Sequence, residues 1–157
     1  MKLLLHVCCA GCACYPLKKL REAQDFEITG FWYNPNIHPY SEYQNRIMAL
    51  GYFSQKENLP IVWKDEYALD EWLEATRGKS DLTSFPQNRE MSLGYWTKEK
   101  RCERCYELRL KKLAKEAKEK GYDYFSTTLL YSKFQDHELI KEICEKLRKQ
   151  HEVNFYY

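Results

Sequence analysis

Four thiols fall within seven residues in Cys8-Cys9-Ala10-Gly11-Cys12-Ala13-Cys14, and a distant pair is spaced as Cys102-Glu103-Arg104-Cys105. Adjacent cysteines in an extended backbone point in different directions, so one turn can present sulfur at two positions around a common centre. Gly11 would let the backbone fold tightly there. At a helix start, Cys102 and Cys105 would share one face, where free amides and the helix dipole stabilise thiolate charge. His6 stands close by, yet no second histidine completes a Cys2His2 pattern. Thiolate-only donor sets select zinc or iron–sulfur centres. A structural zinc site brings its ligands in two paired knuckles. One Cys-x-x-Cys beside a dense cysteine loop, with more than four thiols in total, leans instead toward an iron–sulfur cluster with a ligand to spare. Two competing readings are bare core thiols and thiol–disulfide exchange, and the latter leaves the N-terminal group unexplained. Cys144 lies with Leu139, Ile140, Ile143 and Leu147 on one apolar helix face and reads as core. Cys14 is not assigned as a ligand.

The elements that must position these thiols follow from the apolar pattern. Leu3–Val7 reads as a buried first strand ending at the cysteines. Pro16 marks a helix start, with Leu17, Leu20 and Ala23 at helical spacing. Glu27–Tyr33 is a second strand, closed by the Asn34-Pro35-Asn36 turn. Ser41 with Gln44 forms a capping-box pattern opening a helix through Met48, Phe53 and Lys56. Pro60–Trp63 is a third strand and Ala68–Ala75 a short amphipathic helix. Residues 77–101, with Gly78, Pro86, Asn88 and Gly94, form a long loop. A long helix runs from about Cys102 to Lys120 and stops at Gly121. Tyr122–Thr127 is a strand, Asp136 to about Gln150 a helix, and Val153–Tyr157 a last strand.

Strands alternating with helices indicate a single metal-binding α/β domain over residues 1–157, a three-layer parallel sheet with helices on both faces. Sites in such folds form at the carboxyl ends of strands, where the first cysteine group falls. The chain closes on the apolar run Val153-Asn154-Phe155-Tyr156-Tyr157, which reads as mid-strand, so the expectation is a domain lacking a short C-terminal segment.

With 157 residues and 44% hydrophobic content the chain can bury a core without staples. Aromatic residues at 15%, among them 13 Tyr and 4 Trp, suit both a core and stacking on planar ligands. The net charge of +2 hides an asymmetry: the part before residue 98 is slightly acidic and the remainder basic. The opening Met1-Lys2-Leu3-Leu4-Leu5 is too short for a secretory signal, and no apolar stretch reaches membrane-spanning length. A cytoplasmic protein follows, a setting where clustered cysteines mean metal or redox chemistry rather than disulfides.

Four motifs in order resemble the epoxyqueuosine reductase family of the cobalamin-independent type. They are His6-Val7-Cys8-Cys9-Ala10-Gly11-Cys12; Tyr33-Asn34-Pro35-Asn36-Ile37 with Glu42-Tyr43 and Arg46; Arg101-Cys102-Glu103-Arg104-Cys105-Tyr106 with Leu108-Arg109-Leu110; and Thr127-Thr128-Leu129 with Ser132. The resemblance implies a fold related to the PP-loop and adenine nucleotide alpha-hydrolase group. It implies reduction of the epoxide of epoxyqueuosine to give queuosine, in a tRNA with a GUN anticodon, served by an electron donor. It assigns Cys8, Cys9, Cys102 and Cys105 to a [4Fe–4S] cluster and leaves Cys12 as the extra thiolate for an adjacent mononuclear iron, with a carboxylate as partner. Two departures stand out. Gly11 replaces a usual Pro and a Ser is usual near Cys14, and a C-terminal Cys-Gly-Cys redox segment is absent from residues 1–157.

Deoxygenating an epoxide to an alkene takes two electrons and two protons and releases water. His38, in the Asn34–Pro39 turn, and the carboxylates Asp65, Asp70 and Asp81 are the candidate proton donors or metal partners, His38 and Asp65 being taken as the catalytic pair. Arg101, Arg104, Arg109 and Lys112, with Lys111 and Lys115, surround the second cysteine pair and form the expected tRNA phosphate surface. Trp32, Tyr33 and Tyr40 are candidates to stack on the modified base. The alternatives are an iron–sulfur PP-loop-like tRNA thiolase, which would need a phosphate loop where the cysteines stand, and a non-catalytic zinc-stabilised RNA-binding module.

Overall fold

Near-continuous apolar runs form strands that are covered on both faces, and all five strands here are parallel. The structure, a computed structural model, describes residues 1–23, 25–76 and 98–157. The strands are β1 (Lys2–His6), β2 (Glu27–Trp32), β3 (Ile61–Trp63), β4 (Tyr124–Thr127) and β5 (Asn154–Phe155), and the helices are α1 (Ala10–Ala23), α2 (Tyr40–Glu57), α3 (Leu69–Thr76), α4 (Lys98–Glu119) and α5 (His137–His151). The sheet order is β3-β2-β1-β4-β5.

Period-two alternation splits the core into two layers. Leu4, Phe31 and Phe125 pack with Tyr106, Leu110, Leu113 and Ala117 of α4 and with Ile140, Cys144 and Leu147 of α5. Leu3, Leu5, Val7, Ile28 and Trp32 point the other way, against Ala13, Leu17 and Leu20 of α1 and Tyr43 and Leu50 of α2. The result is the expected three-layer α/β architecture, and Cys144 is a core residue as read from the pattern.

Several boundaries differ from the sequence expectation, each for a local reason. α1 starts at Ala10, not at Pro16, because the Cys9 Sγ accepts from the Cys12 N–H at 3.4 Å and caps the first turn. Gly11 therefore lies within that turn, where a Cβ would meet nothing within 4 Å. Pro16 sits inside the helix and cannot donate to the Cys12 carbonyl. The Ser41–Gln44 capping box does not form: α2 follows Pro39 without a side-chain cap, and Gln44 bonds the Tyr40 hydroxyl at 3.1 Å. α4 begins at Lys98, four residues before Cys102, which moves the cysteine pair off the helix start. Residues 77–97 of the expected loop, including Asp81, lie outside the described residues.

From β1 the chain steps to β2 on one side and later returns to place β4 on the other. The carboxyl ends of β1 and β4 thus diverge into a crevice, the position where open parallel sheets bind ligands.

Candidate metal centre

His6, the last residue of β1, is fully buried and ties three strand ends together. Its Nε2 lies 3.3 Å from the Tyr33 carbonyl and its Nδ1 3.0 Å from Thr127 Oγ1. A carbonyl only accepts, so Nε2 carries the proton and Nδ1 accepts from the Thr127 hydroxyl. Burial, reinforced by the Arg109 charge, holds the imidazole neutral with its pKa lowered to about 3. Both ring nitrogens are spent, which leaves His6 as a clamp rather than a metal ligand. Asn34 adds a second tie, its Nδ2 donating to the Val7 carbonyl at 2.9 Å, just before the cysteines. The Oδ1 of Asn34 is buried with no partner among the described residues, an acceptor open to water or a bound group.

Beyond this clamp the Sγ atoms of Cys8, Cys9 and Cys12 lie within 4.8 Å of one another, the one such group of metal-binding side chains among the described residues. The trio can hold a metal ion. Thr128, which opens a 3-10 turn (Thr128–Tyr131) after β4, braces it from across the crevice. Its hydroxyl accepts from the Cys8 N–H at 3.1 Å and donates to the Cys8 Sγ at 3.3 Å. Cys8 and Cys9 share a proton unequally. Cys8, which donates to Cys9 and is the more deeply buried, is held far above the usual thiol range. Cys9 is pulled down to about 5, chiefly by the hydrogen bond from Cys8, then by the Cys12 side chain and amide and the Arg46 charge. Burial and the thiolate-favouring neighbour Cys9 push Cys12 up. Arg46, in α2 and paired with Glu42 at 2.7 Å, supplies positive charge to Cys9 and Cys12.

Cys102 and Cys105 stand outside that trio, on the second turn of α4. Helices that return to a parallel strand run antiparallel to it, so the N-terminal half of α4 lies toward the carboxyl edge of the sheet, as the cysteine loop does. Cys8 and Cys102 both pack on the same apolar cluster. Cys105 is buried, and its Sγ accepts from the Trp72 indole N–H at 3.3 Å. The exposed His38 packs its ring on Trp72, with centroids 4.8 Å apart.

The other expected site residues are distributed unevenly. Asp65 follows the outer strand β3, and its carboxylate accepts from the Tyr43 hydroxyl at 3.0 Å; no carboxylate joins the thiol trio among the described residues. Arg101 and Arg104 are exposed, Arg104 pairing with Glu107 at 2.8 Å. Arg109 is buried instead, its Nε donating to the Cys105 carbonyl at 3.2 Å, so it is placed to order α4 rather than to meet a phosphate. Lys112 lies 3.9 Å from Glu71 and over the Tyr33 ring at 5.0 Å. Trp32 and Tyr33 are buried core residues, whereas Tyr40 is exposed. Cys14 is exposed and donates to the Ala10 carbonyl. Thr128, Arg46 and Trp72 carry the thiols' surroundings; Thr128 and Arg46 stand in the quoted motifs without an assigned role, and nothing in the sequence pattern singled out Trp72.

The sequence profile described as Epoxyqueuosine reductase QueH matches residues 3–157. The chain belongs to the epoxyqueuosine reductase QueH family. It is 33% identical over 156 residues to the epoxyqueuosine reductase QueH of Dehalococcoides mccartyi, covering 99% of this chain and 75% of that protein. Against the Helicobacter pylori protein of the same name the identity is 34% over 154 residues, covering 98% and 38% respectively. Against that of Thermotoga maritima it is 32% over 157 residues, covering 98% and 72%. The resemblance carried by the four motifs is borne out, and the family is one of oxidoreductases. No described helix is long and apolar enough to cross a membrane.

The thiol geometry predicts selective chemistry in the metal-free protein. A lowered thiol pKa means thiolate above about 5 and thiol below it, so Cys9 should be alkylated by iodoacetamide with a midpoint near pH 5. Peptide mass spectrometry across pH reads this directly. A Cys9 midpoint at ~8.5, the free-cysteine value, would contradict the arrangement.

Proposed function

We propose that this chain reduces epoxyqueuosine to queuosine in tRNA, with Cys8, Cys9, Cys102 and Cys105 holding a [4Fe–4S] cluster and Cys12 the spare thiolate for an adjacent iron. The observation that carries this reading is the trio of thiols within 4.8 Å at the sheet's switch point, in a chain of this family. The donor set fits such a group. It is sulfur only, the neighbouring histidine is consumed by hydrogen bonds, and Cys9 is already biased to thiolate. Five thiols from two elements exceed the four of a structural zinc site.

When bound, the cluster supplies single electrons and the iron Lewis acidity. The protein's own part is to hold the substrate and deliver protons. His38 is exposed and packs on Trp72, which donates to the Cys105 sulfur, and we assign it the delivery of one of the two protons. Asp65, the other expected catalytic residue, is assigned to orienting Tyr43, whose phenol is raised to about 12 by burial and by the Asp65 charge. Arg101 and Arg104, at the crevice end of α4, contact tRNA phosphates.

Three outcomes test the proposal. Cys102→Ala, purified and reconstituted with iron and sulfide without oxygen, should lose both visible absorption and turnover of epoxyqueuosine-containing tRNA. A colourless wild-type protein with stoichiometric zinc would support the RNA-binding module instead, and ATP-dependent turnover the thiolase. His38→Ala should lower kcat by roughly 10²-fold or more while leaving tRNA affinity and cluster absorption in place; a change below about threefold would remove His38 from proton delivery. Arg104→Glu should weaken tRNA binding and flatten its dependence on salt, and an unaltered salt slope would take this surface out of the interface.

A further inference from the structure

The turn that braces Cys8 continues into a surface the reaction does not explain. Tyr131, three residues after Thr128, and Tyr15, one helical turn after Cys12, stack on each other with ring centroids 5.5 Å apart and an interplanar angle of 25°. Each is 51% exposed, and Phe134, three residues after Tyr131 in sequence, is 84% exposed. Cations stand over these rings: Lys19 Nζ, which also pairs with Glu22 at 2.9 Å, lies 5.7 Å from the Tyr15 centroid, and Lys133 Nζ lies 5.2 Å from that of Phe134. Behind the pair a cavity of about 300 Å³ opens between α1 and the end of β4, walled by Leu5, Pro16, Leu130 and Tyr156.

Exposed aromatic rings are costly in water unless a partner covers them, and this group is continuous with the thiol site through Thr128 and Cys12. Flat rings beneath ammonium groups match one chemistry well. Unpaired bases stack on the rings, while the lysines meet the phosphates between them.

We propose that Tyr15, Tyr131 and Phe134, with Lys19 and Lys133, form a stacking platform for single-stranded RNA, receiving the unpaired bases that flank the nucleotide at the thiol site. This rests on the tRNA reading above and names the surface that reading lacks. The platform lies on the α1 side of the crevice, opposite the α4 cations, so an RNA loop would straddle the sheet edge with bases on one side and backbone on the other.

Phe134→Ala and the double variant Tyr15→Ala, Tyr131→Ala test it in the full-length, cluster-reconstituted protein. The probe is a fluorescently labelled, unmodified anticodon stem–loop RNA, followed by anisotropy. Each lost stack should weaken binding on the order of 5- to 100-fold, Trp replacements should restore it, and turnover should suffer in KM rather than kcat. Unchanged cluster absorption and thermal midpoint verify folding. Affinity within twofold of wild type for both variants overturns the platform, as does loss of self-association by sedimentation with RNA binding intact. If the wild-type protein fails to reduce epoxyqueuosine yet the variants still lose RNA affinity, the reaction reading falls and the platform stands.

Discussion

Where Cys8 leaves the sheet is decided by a buried, neutral imidazole. His6 joins the ends of β1, β2 and β4 by accepting from Thr127 and donating to the Tyr33 carbonyl. Neither bond has a substitute, because the ring is sealed from water. Leaving either buried partner unsatisfied costs about 1–3 kcal/mol, a large share of a small domain's margin. The clamp also fixes a direction. Thr127 holds His6, and the adjacent Thr128 holds the amide and sulfur of Cys8, so two neighbouring hydroxyls, one ending β4 and one opening the 3-10 turn, set both the strand end and the first thiol of the trio.

The three thiols that follow are not equivalent, and the asymmetry comes from position rather than composition. Cys8 faces the core and gives its proton toward Cys9; Cys9 caps α1 and receives the Cys12 amide and the positive field of Arg46. Metal binding displaces protons from thiols, so a loop that already carries one thiolate lowers the cost of taking up a cation. The hydrogen bond from Cys8 does most to lower Cys9, and the helix start whose Cys12 amide adds to it is capped by Cys9 itself.

Much of this was legible from residue pattern because two periodicities were strong. Continuous apolar strands such as Leu3–Leu5 and the helical spacing of Ile140, Ile143 and Leu147 indicated a three-layer α/β fold, and the rule of strand carboxyl ends located the site. Helix starts were harder to read. Pro16 looks like a first-turn residue, yet the Cys9 cap, well before it in the chain, drew the start to Ala10. Ser41 and Gln44 matched a capping box that tertiary packing of Tyr40 and Tyr43 left unused. Individual roles were least visible. Arg109 and Lys112 share a basic stripe with Arg101 and Arg104, and only packing separates the buried member and the one engaged with Glu71 from the two that reach water.

The second cysteine pair shows how the fold replaces a device the pattern promised. With α4 opening at Lys98, the amides of Cys102 and Cys105 belong to the helical ladder and cannot serve a thiolate. Cys105 instead receives a donor from another helix, the Trp72 indole N–H. An amide at a helix start is fixed by its own backbone, whereas Trp72 reaches its sulfur only while α3 stays docked on α4. The electrostatic environment of Cys105 therefore depends on tertiary packing, and the His38 ring packs on the same indole, 4.8 Å between centroids. Hydrogen bonds to ligating sulfurs raise the potential of an iron–sulfur centre. In the proposed cluster, the same indole would tie the ease of reduction to the docking of α3 on α4.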